Sequence, residues 1–141
     1  MKVEEILSKK GKEVFSVLPT ITVYEALGVM SEKNIGAILI IENNVLKGIL
    51  SERDYARKIV LKDKASRDTF VHEIMEENPI VVKLTDDLDY CMGLMDSKKV
   101  RHLPVADNNI TVGIISMSDV VKAIIERQTE TIKHLDSYIS Q

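Results

Sequence analysis

The sequence contains one unit twice. When the chain is shifted by 65 positions, residues 14–60 lie over residues 79–125 without a gap. Ahead of these blocks, "VEEIL" at 3–7 resembles "VHEIM" at 71–75, with an offset three residues larger because "KKGK" lengthens the first loop. The chain is therefore a tandem duplication with two copies, not the many copies of a solenoid. Among the identical pairs are Gly28/Gly93, Asn43/Asn108, Asn44/Asn109, Gly48/Gly113, Ser51/Ser116 and Asp54/Asp119.

Each copy has the pattern of a β-α-β-β-α unit. A short strand (15–18 and 80–84) leads into a helix whose apolar residues recur at i, i+3, i+4 and i+7. Two extended runs follow, joined across "ENN" in the first copy and "DNN" in the second. Asn tolerates positive φ, so these joints predict hairpins. The apolar helix positions are Val23, Ala26, Leu27 and Met30 in one copy and Leu88, Cys91, Met92 and Met95 in the other.

The repeat also predicts the division of the chain. Repeat 1 spans residues 1–62, a polar linker without periodicity spans 63–70, and repeat 2 spans 71–126. The tail at 127–141 keeps Ile132, Leu135 and Ile139 on one face and extends the last helix. The apolar faces of the two final helices (55–62 and 120–126), together with this stripe, predict a homodimer.

Composition narrows the class of protein. The 141 residues carry a net charge of −3, and 4% are aromatic, so we expect no nucleic-acid partner. No apolar run approaches the roughly 18 residues that a membrane span needs, and we expect no membrane association. The charged N-terminus lacks the apolar core of a signal peptide, and the single Cys fits a reducing compartment. We therefore expect a cytoplasmic protein.

The same corner ends the hairpin in both copies. "GILSERD" at 48–54 returns as "GIISMSD" at 113–119, and each places an Asp three residues after a Ser. Such a Ser and acid pair is typical of a capping box at a helix start. The Asp can also serve a ligand, because a carboxylate accepts hydrogen bonds from two adjacent hydroxyl groups. One side chain can do both, so the two interpretations are compatible.

These features together resemble a CBS-domain pair, the module named for cystathionine β-synthase. The resemblance covers about residues 3–126 and rests on the doubled unit, both Ser-x-x-Asp corners and the segment "KVRHLPVAD". It implies a mixed α/β fold of the α+β type. Two β-α-β-β-α repeats are related by a pseudo-twofold, and an extended C-terminal helix follows. It also implies two clefts between the repeats that bind adenine nucleotides, in a regulatory rather than a catalytic role.

The family pattern assigns residues to each cleft. The first is expected to hold Ile49, Ser51, Arg53 and Asp54, facing Thr85, Val100, Arg101, His102 and Pro104. The second is expected to hold Ile114, Ser116, Ser118 and Asp119, facing Thr20, Ile35, Gly36 and Ala37. Arg53 corresponds to Ser118, and Arg101 and His102 correspond to Gly36 and Ala37. The first cleft, with a protonated His102 adding charge, is therefore expected to bind phosphate more strongly, and the second to take adenosine more weakly.

No enzyme is indicated. The sequence contains no Gly-rich phosphate loop, metal-ligand cluster or nucleophile with a paired base, so we expect no catalytic residue, catalytic cofactor or metal. The expected ligand is an adenine nucleotide, with AMP as the leading candidate and ATP or NAD(H) as alternatives. Occupancy would be signalled to a regulated protein that the sequence does not identify. The alternative function is a protein-interaction scaffold whose clefts are vestigial.

Overall fold

The computed structural model describes residues 1–11 and 13–140. The first repeat starts with a helix that the β-α-β-β-α pattern does not include, and then follows that pattern. Its elements are α1 (Val3–Lys10), β1 (Ser16–Val17), α2 (Val23–Lys33), β2 (Ala37–Glu42), β3 (Val45–Ser51) and α3 (Glu52–Tyr55), which continues as a π-helical turn over Ala56–Val60.

The second repeat has the same order with one additional short strand. A 3₁₀ turn (Ser66–Asp68) precedes it. Its elements are α4 (Val71–Ile74), β4 (Glu76–Glu77), β5 (Val82–Lys83), α5 (Leu88–Lys98), β6 (His102–Asp107), β7 (Ile110–Ser116) and α6 (Met117–Ile139). The predicted extension of the last helix is confirmed, since α6 continues through the tail.

Each repeat forms its own sheet. The strand orders are β1-β2-β3-β4 and β5-β6-β7, with a parallel pair followed by an antiparallel hairpin in both. The hairpins turn on Asn43 and Asn44, at φ 52° and 63°, and on Asn108 and Asn109, at φ 50° and 66°. Two successive residues at positive φ are what a type I′ turn requires, and Asn tolerates this conformation. Both predicted hairpins are confirmed.

Helices α2 and α5 each bury the apolar face that the spacing of their residues predicts. Met92, which the pattern also assigns to this face, lies at its edge and is exposed. The buried positions are Val23, Ala26 and Met30 on α2 and Leu88, Cys91 and Met95 on α5. These residues lie in two separate cores, one for each sheet.

The two short leading helices are exchanged between the repeats. Helix α1 belongs to repeat 1 in sequence, yet Val3, Ile6 and Leu7 lie in the core of repeat 2. Helix α4 belongs to repeat 2 in sequence, yet Val71 and Ile74 lie in the core of repeat 1. Each repeat therefore completes the core of the other.

Two glycines shared by the repeats allow this exchange. A Cβ atom on Gly113 would lie 2.9 Å from Cδ2 of Leu7, and one on Gly48 would lie 2.7 Å from the backbone oxygen of Glu76. Real Cβ atoms do not come this close to other heavy atoms, so the hairpins need Gly where the exchanged segments cross them. The identity Gly48/Gly113 in the sequence marks these two crossings.

The sheets meet in a small third cluster. Ala37, Leu39 and Ile49 of the first sheet are buried, and Ile114 of the second packs against them. The starts of β2 and β6 are also neighbours, since a Cβ on Gly36 would lie 3.9 Å from Nε2 of His102. The two Ser-x-x-Asp corners follow the strands paired with β2 and β6, so both corners lie near this junction.

The predicted fold class, an α+β pair of repeats with an extended C-terminal helix, is confirmed. Among the helices that the structure describes, none is long and apolar enough to span a membrane.

Candidate functional site

Both corners form capping boxes. Ser51 ends β3 and its hydroxyl oxygen accepts from the N–H of Asp54 at 3.2 Å. Asp54 Oδ2 accepts in return from the N–H of Ser51 at 2.9 Å. Ser116 and Asp119 repeat this arrangement before α6, at 3.2 and 2.7 Å. The capping interpretation holds at both corners, and each Asp side chain is held in place by the backbone N–H of the Ser three residues before it.

Asp54 keeps acceptor capacity after capping. Its Oδ2 also accepts from the Ser51 hydroxyl at 3.0 Å, whereas Oδ1 has a single distant contact, 3.4 Å from Nζ of Lys58. Each carboxylate oxygen has two lone pairs, so Oδ1 can accept further hydrogen bonds. Asp54 is 8% exposed, which makes it one of few buried charged residues in the chain. It is therefore a rigid acceptor that a ligand can still use.

A cleft of about 410 Å³ opens beside Asp54, between the repeats. This volume is in the range of small-molecule sites. Thr85 and Pro104, which the family pattern also assigned here, do not line it, and Gly36, assigned to the second cleft, does. The residues expected in the first cleft that do line it are Ile49, Ser51, Arg53, Asp54, Val100, Arg101 and His102.

The cleft also includes residues that the sequence reading missed. The segment at 76–80, which precedes β5, forms part of the lining, as do Glu52, Arg57, Lys98 and Lys99. Asn78 has a positive φ of 51° in this segment. The basic run "KKVRH", which contains the predicted Arg101, could have indicated Lys98 and Lys99 as well. The segment at 76–80 gave no comparable signal, because its role depends on strand pairing between β3 and β4.

The lining of the cleft has mixed charge, with five basic residues beside the carboxyl groups of Glu52, Asp54, Glu76 and Glu77. Glu76 lies in the lining but is paired with Lys58 at 2.8 Å, so its charge is offset locally. Arg53 also donates to the carbonyl of Lys99 at 3.4 Å and so links the two repeats across the cleft. The basic residues of the lining are Arg53, Arg57, Lys98, Lys99 and Arg101.

His102 does not add to this charge at neutral pH. Burial lowers the pKa of its imidazole, and the positive charges of Lys10, Arg101 and Arg53 lower it further against the opposing effect of Asp119. The imidazole is therefore neutral at pH 7. The expectation of a protonated His102 in the first cleft is corrected, since a half-buried ring among three cations holds a proton weakly.

The second corner has a different partner. Nζ of Lys10, at the end of α1, donates to Oδ2 of Asp119 at 2.7 Å and to the carbonyl of Ile114 at 2.8 Å. Burial of Asp119 opposes ionisation, but the hydrogen bonds from Lys10 and from the Ser116 N–H outweigh it and lower the pKa of the carboxyl. The corner thus already holds a cation that the chain itself provides.

The remaining residues predicted for the two clefts lie in several places. Thr20 and Thr85 are exposed at equivalent positions before α2 and α5. Ile35 packs on the core of repeat 1, and Ala37 lies in the cluster where the sheets meet, together with Ile114. Ser118 remains beside the corner, with its hydroxyl 3.0 Å from that of Ser116. Pro104 is buried opposite Ile114 in the hairpin of repeat 2.

Within residues 1–11 and 13–140, no three His, Cys, Asp or Glu side chains come together in a way that could hold a metal ion. Cys91 is buried, and this burial raises the pKa of its thiol to about 11, so it is not an activated nucleophile.

Comparison with known proteins decides the family. The model of the CBS domain matches the chain twice, over residues 3–61 and 71–126. The chain belongs to the CBS-domain family. It is 35% identical over 123 residues to the mitochondrial CBS-domain-containing protein CBSX3 of Arabidopsis thaliana, covering 84% of this chain and 60% of CBSX3. It is 33% identical over 108 residues to YhcV of Bacillus subtilis, covering 77% and 76%. This CBS-domain chain thus spans less than two thirds of CBSX3.

Solved CBS-domain structures share the fold. A Burkholderia ambifaria protein with CBS domains superposes with a TM-score of 0.87 and 40% identity, covering 91% of this chain and 96% of that one. More distant structures share the fold at 23% identity. One is a CBS domain protein of Pyrobaculum aerophilum in complex with AMP, with a TM-score of 0.75. Another is the CBS domain pair of MJ0100 in complex with 5′-methylthioadenosine and S-adenosyl-L-methionine, with a TM-score of 0.79.

Proposed function

We propose that this chain is a non-catalytic regulatory module that binds one adenine nucleotide in the Asp54 cleft and signals its occupancy to a partner protein. The observation that supports this most directly is Asp54. Its carboxylate is buried, held by its own capping box, and lines a cleft that also holds five basic side chains. A ligand that contains both a ribose diol and a phosphate would match these two features, with the diol at Asp54 and the phosphate at the basic side chains.

The ribose would bind at Asp54. Its two adjacent hydroxyl groups donate hydrogen bonds, and an ionised carboxylate is the strongest acceptor available in proteins. Because Asp54 is already ordered, binding would not require fixing its side chain, which lowers the entropic cost of association. Ser51 keeps acceptor capacity beside it for the same ribose.

The phosphate would bind among the basic residues. Arg101 and Arg53 approach from opposite repeats, and Lys98 and Lys99 lie on the same side as Arg101. Guanidinium groups bind phosphate through two parallel hydrogen bonds, so Arg101 is the primary candidate. Ile49 and Val100 supply apolar surface for the base. A ligand that bridges the repeats in this way would couple occupancy to their relative position.

We propose that the Asp119 corner does not bind nucleotide in the native chain. Lys10 donates to the same carboxylate that a second ribose would need. A ligand there would have to displace a charge-assisted hydrogen bond of 2.7 Å. The corner would offer no arginine to the phosphate of that ligand, because Ser118 and Gly36 occupy the positions that Arg53 and Arg101 have in the first cleft. One nucleotide per chain is the expected stoichiometry.

AMP is the leading candidate among adenine nucleotides, and ATP and NAD(H) remain alternatives. Two proteins with this fold bind AMP or adenosyl compounds, which supports an adenosine-containing ligand in general. A cytoplasmic location and a homodimer are part of the proposal. Hexamers occur in a related CBS-CP12 protein of bloom-forming cyanobacteria, to which this chain is 26% identical.

The proposal is tested by calorimetric titration of the full chain with AMP, ADP, ATP, NAD(H), S-adenosylmethionine and GTP. A ligand at a hundred times its Kd should also stabilise the fold by roughly 2.7 kcal/mol, measured as a rise in Tm. Arg101→Ala should weaken AMP roughly 10- to 100-fold and leave adenosine nearly unchanged, because charged hydrogen bonds contribute about 1.5–3 kcal/mol. If no adenine compound binds at millimolar concentration, the scaffold alternative replaces this one.

A further inference from the structure

The last helix carries an apolar face that the rest of the chain does not cover. Val120 and Ala123 anchor the start of α6 in the core of repeat 2, but every residue from 128 to 140 is exposed. A helix of this kind without tertiary contacts is only marginally stable in water. Exposed apolar side chains nevertheless continue along it, at Val121, Ile125, Ile132, Leu135 and Ile139.

The spacing of these residues is that of a coiled coil. With Gln128 included, they follow alternating steps of four and three residues, at positions 121, 125, 128, 132, 135 and 139. A period of 3.5 residues keeps one narrow seam facing another helix, whereas a helix that lies on a globular core usually has a wider apolar face. The seam is about 27 Å long, from a rise of 1.5 Å per residue. Its period points to a second helix as the occupant.

We propose that this seam pairs with the same helix of a second copy of this chain, in antiparallel orientation. The seam is symmetric about Glu130, so antiparallel pairing brings Val121 of one copy opposite Ile139 of the other. It likewise brings Ile125 opposite Leu135 and Gln128 opposite Ile132. This proposal rests on the homodimer of the proposed function but does not depend on nucleotide binding.

The charges beside the seam favour the antiparallel orientation. Lys122 and Asp136 occupy the same flanking heptad position, one residue after Val121 and Leu135. In antiparallel coiled coils these positions meet each other, so each Lys122 would face Asp136 of the other copy, twice in the dimer. In a parallel pair, Lys122 would face Met117 and Asp136 would face Thr131, and no opposite charges would meet.

The surface at the start of the seam also favours the antiparallel orientation. A largely apolar groove of about 440 Å³ lies between α5 and α6, lined by Met92, Met117, Val121 and Ile124 among others. At one end it shares Arg53, Lys99 and Arg101 with the Asp54 cleft. Antiparallel pairing brings the last turn of the partner helix, with Ile139, over this groove. Parallel pairing would instead direct that turn away from it. Groove and seam are therefore one continuous surface, and the C-terminal turn of a second copy fits it.

The first test determines orientation by disulfide formation in a Cys91→Ser background. Chains carrying Val121→Cys are mixed with chains carrying Ile139→Cys under mild oxidation, and each is also oxidised alone. Antiparallel pairing predicts cross-linked dimers in the mixture and little in either sample alone. Cross-linking of each variant with itself would show parallel pairing. Absence of cross-linking in all three samples would show that the seam is not the interface. Either of the last two results overturns the proposal.

The second test measures dimer affinity by sedimentation equilibrium from about 1 to 100 μM. Ile132→Asp should raise the dimer Kd roughly 100-fold or more, because two apolar side chains lose their burial per dimer. Lys133→Asp, on the outer face of the same helix, is the control and should change it little. Lys122→Glu and Asp136→Lys should each weaken the dimer, and the double variant should restore it. A monomer at 100 μM, or no restoration, would contradict the proposal.

Discussion

Asp54 and Asp119 lie in the same Ser-x-x-Asp corner and form the same cap, and yet they have different partners. Asp54 lines an open cleft, and Asp119 accepts from Lys10. We therefore predict that Asp54→Asn weakens AMP at least tenfold, because a charged acceptor contributes about 1.5–3 kcal/mol, whereas Asp119→Asn leaves it nearly unchanged. Asp119→Asn also loses the ion pair with Lys10, so its Tm should fall at least as much as that of Asp54→Asn. Equal losses of AMP affinity in calorimetry would contradict this.

Lys10 determines how many nucleotide sites the chain has, because it occupies the Asp119 corner. We predict that Lys10→Ala frees the Asp119 carboxylate and allows a second, weaker adenosine or AMP molecule to bind, so that native mass spectrometry detects two ligands per chain instead of one. Lys9→Ala is the matched control, because Lys9 pairs with Glu126 on the surface at 2.8 Å and does not contact the corner. If wild type binds one AMP and Lys10→Ala still binds one, Lys10 does not close the second corner. If wild type binds none, the nucleotide proposal itself is wrong.

His102 makes stability depend on pH. Its pKa is lower in the folded protein than in the unfolded chain, so the unfolded chain binds the proton more readily. Stability is therefore lost as the pH falls through the ordinary His range near 6.5. We predict that the Tm of wild type falls more than that of His102→Gln between pH 7.5 and 5.5. His72 and His134 are present in both proteins and cancel in the comparison. Parallel Tm curves would show that His102 titrates normally.

The sequence predicted the role of a residue where its contacts are with neighbours in the chain, and missed it where they are with distant residues. The Ser51 and Asp54 cap is a contact over three residues, and its doubling marked both corners. Arg101 and His102 could be assigned to the first cleft from the family pattern. Lys10 could not, because its partner lies 109 residues away and its segment, "KKGK", has no counterpart in the second repeat. The functional difference between the corners thus depends on the one place where the repeats do not align.

At the scale of elements, period and turn residues predicted the long helices and hairpins correctly. They did not predict β4, because a two-residue strand carries no measurable period. They did not predict the exchange of α1 and α4 either, because it consists of contacts between distant segments of the chain. The sequence showed that Gly48 and Gly113 are equivalent positions of the two repeats, but it did not show why both are Gly. At each position an exchanged segment crosses the hairpin, and that is a contact between distant parts of the chain.

The glycines provide a matched test of this packing. We predict that Gly113→Ala destabilises the fold by about 1–3 kcal/mol, because a methyl group would overlap Leu7 in a filled core. Gly48→Ala should cost at least as much, since its neighbour is a backbone oxygen at 2.7 Å, which cannot rotate away. Gly93→Ala on α5 is the control. Nothing lies within 4 Å of its Cβ, so it should stabilise by about 0.5–1 kcal/mol. Urea unfolding measures all three, and a neutral Gly113→Ala would contradict the crossing.

At the scale of the whole molecule, the exchange joins two small cores into one cooperative structure. The core of repeat 1 includes Val71 and Ile74 of α4, and the core of repeat 2 includes Val3, Ile6 and Leu7 of α1. Neither core is therefore complete with the residues of its own repeat alone. A core of this size is marginal by itself, and mutual completion raises the number of contacts that must break together. The same coupling is what would let a ligand between the repeats affect both.

Leu7→Ala tests that coupling. Leu7 is 1% exposed in the core of repeat 2, so its truncation should cost about 2–5 kcal/mol, and the exposed Leu61→Ala should cost little. Labelling of Cys91 reports on repeat 2, because its buried thiol, with a pKa of about 11, reacts only after unfolding. Hydrogen exchange of β2 and β3 reports on repeat 1. We predict that both probes shift to lower urea together, since the two sheets pack against each other through Ala37, Leu39, Ile49 and Ile114. Reactive Cys91 with β2 and β3 still protected would show that the repeats unfold independently.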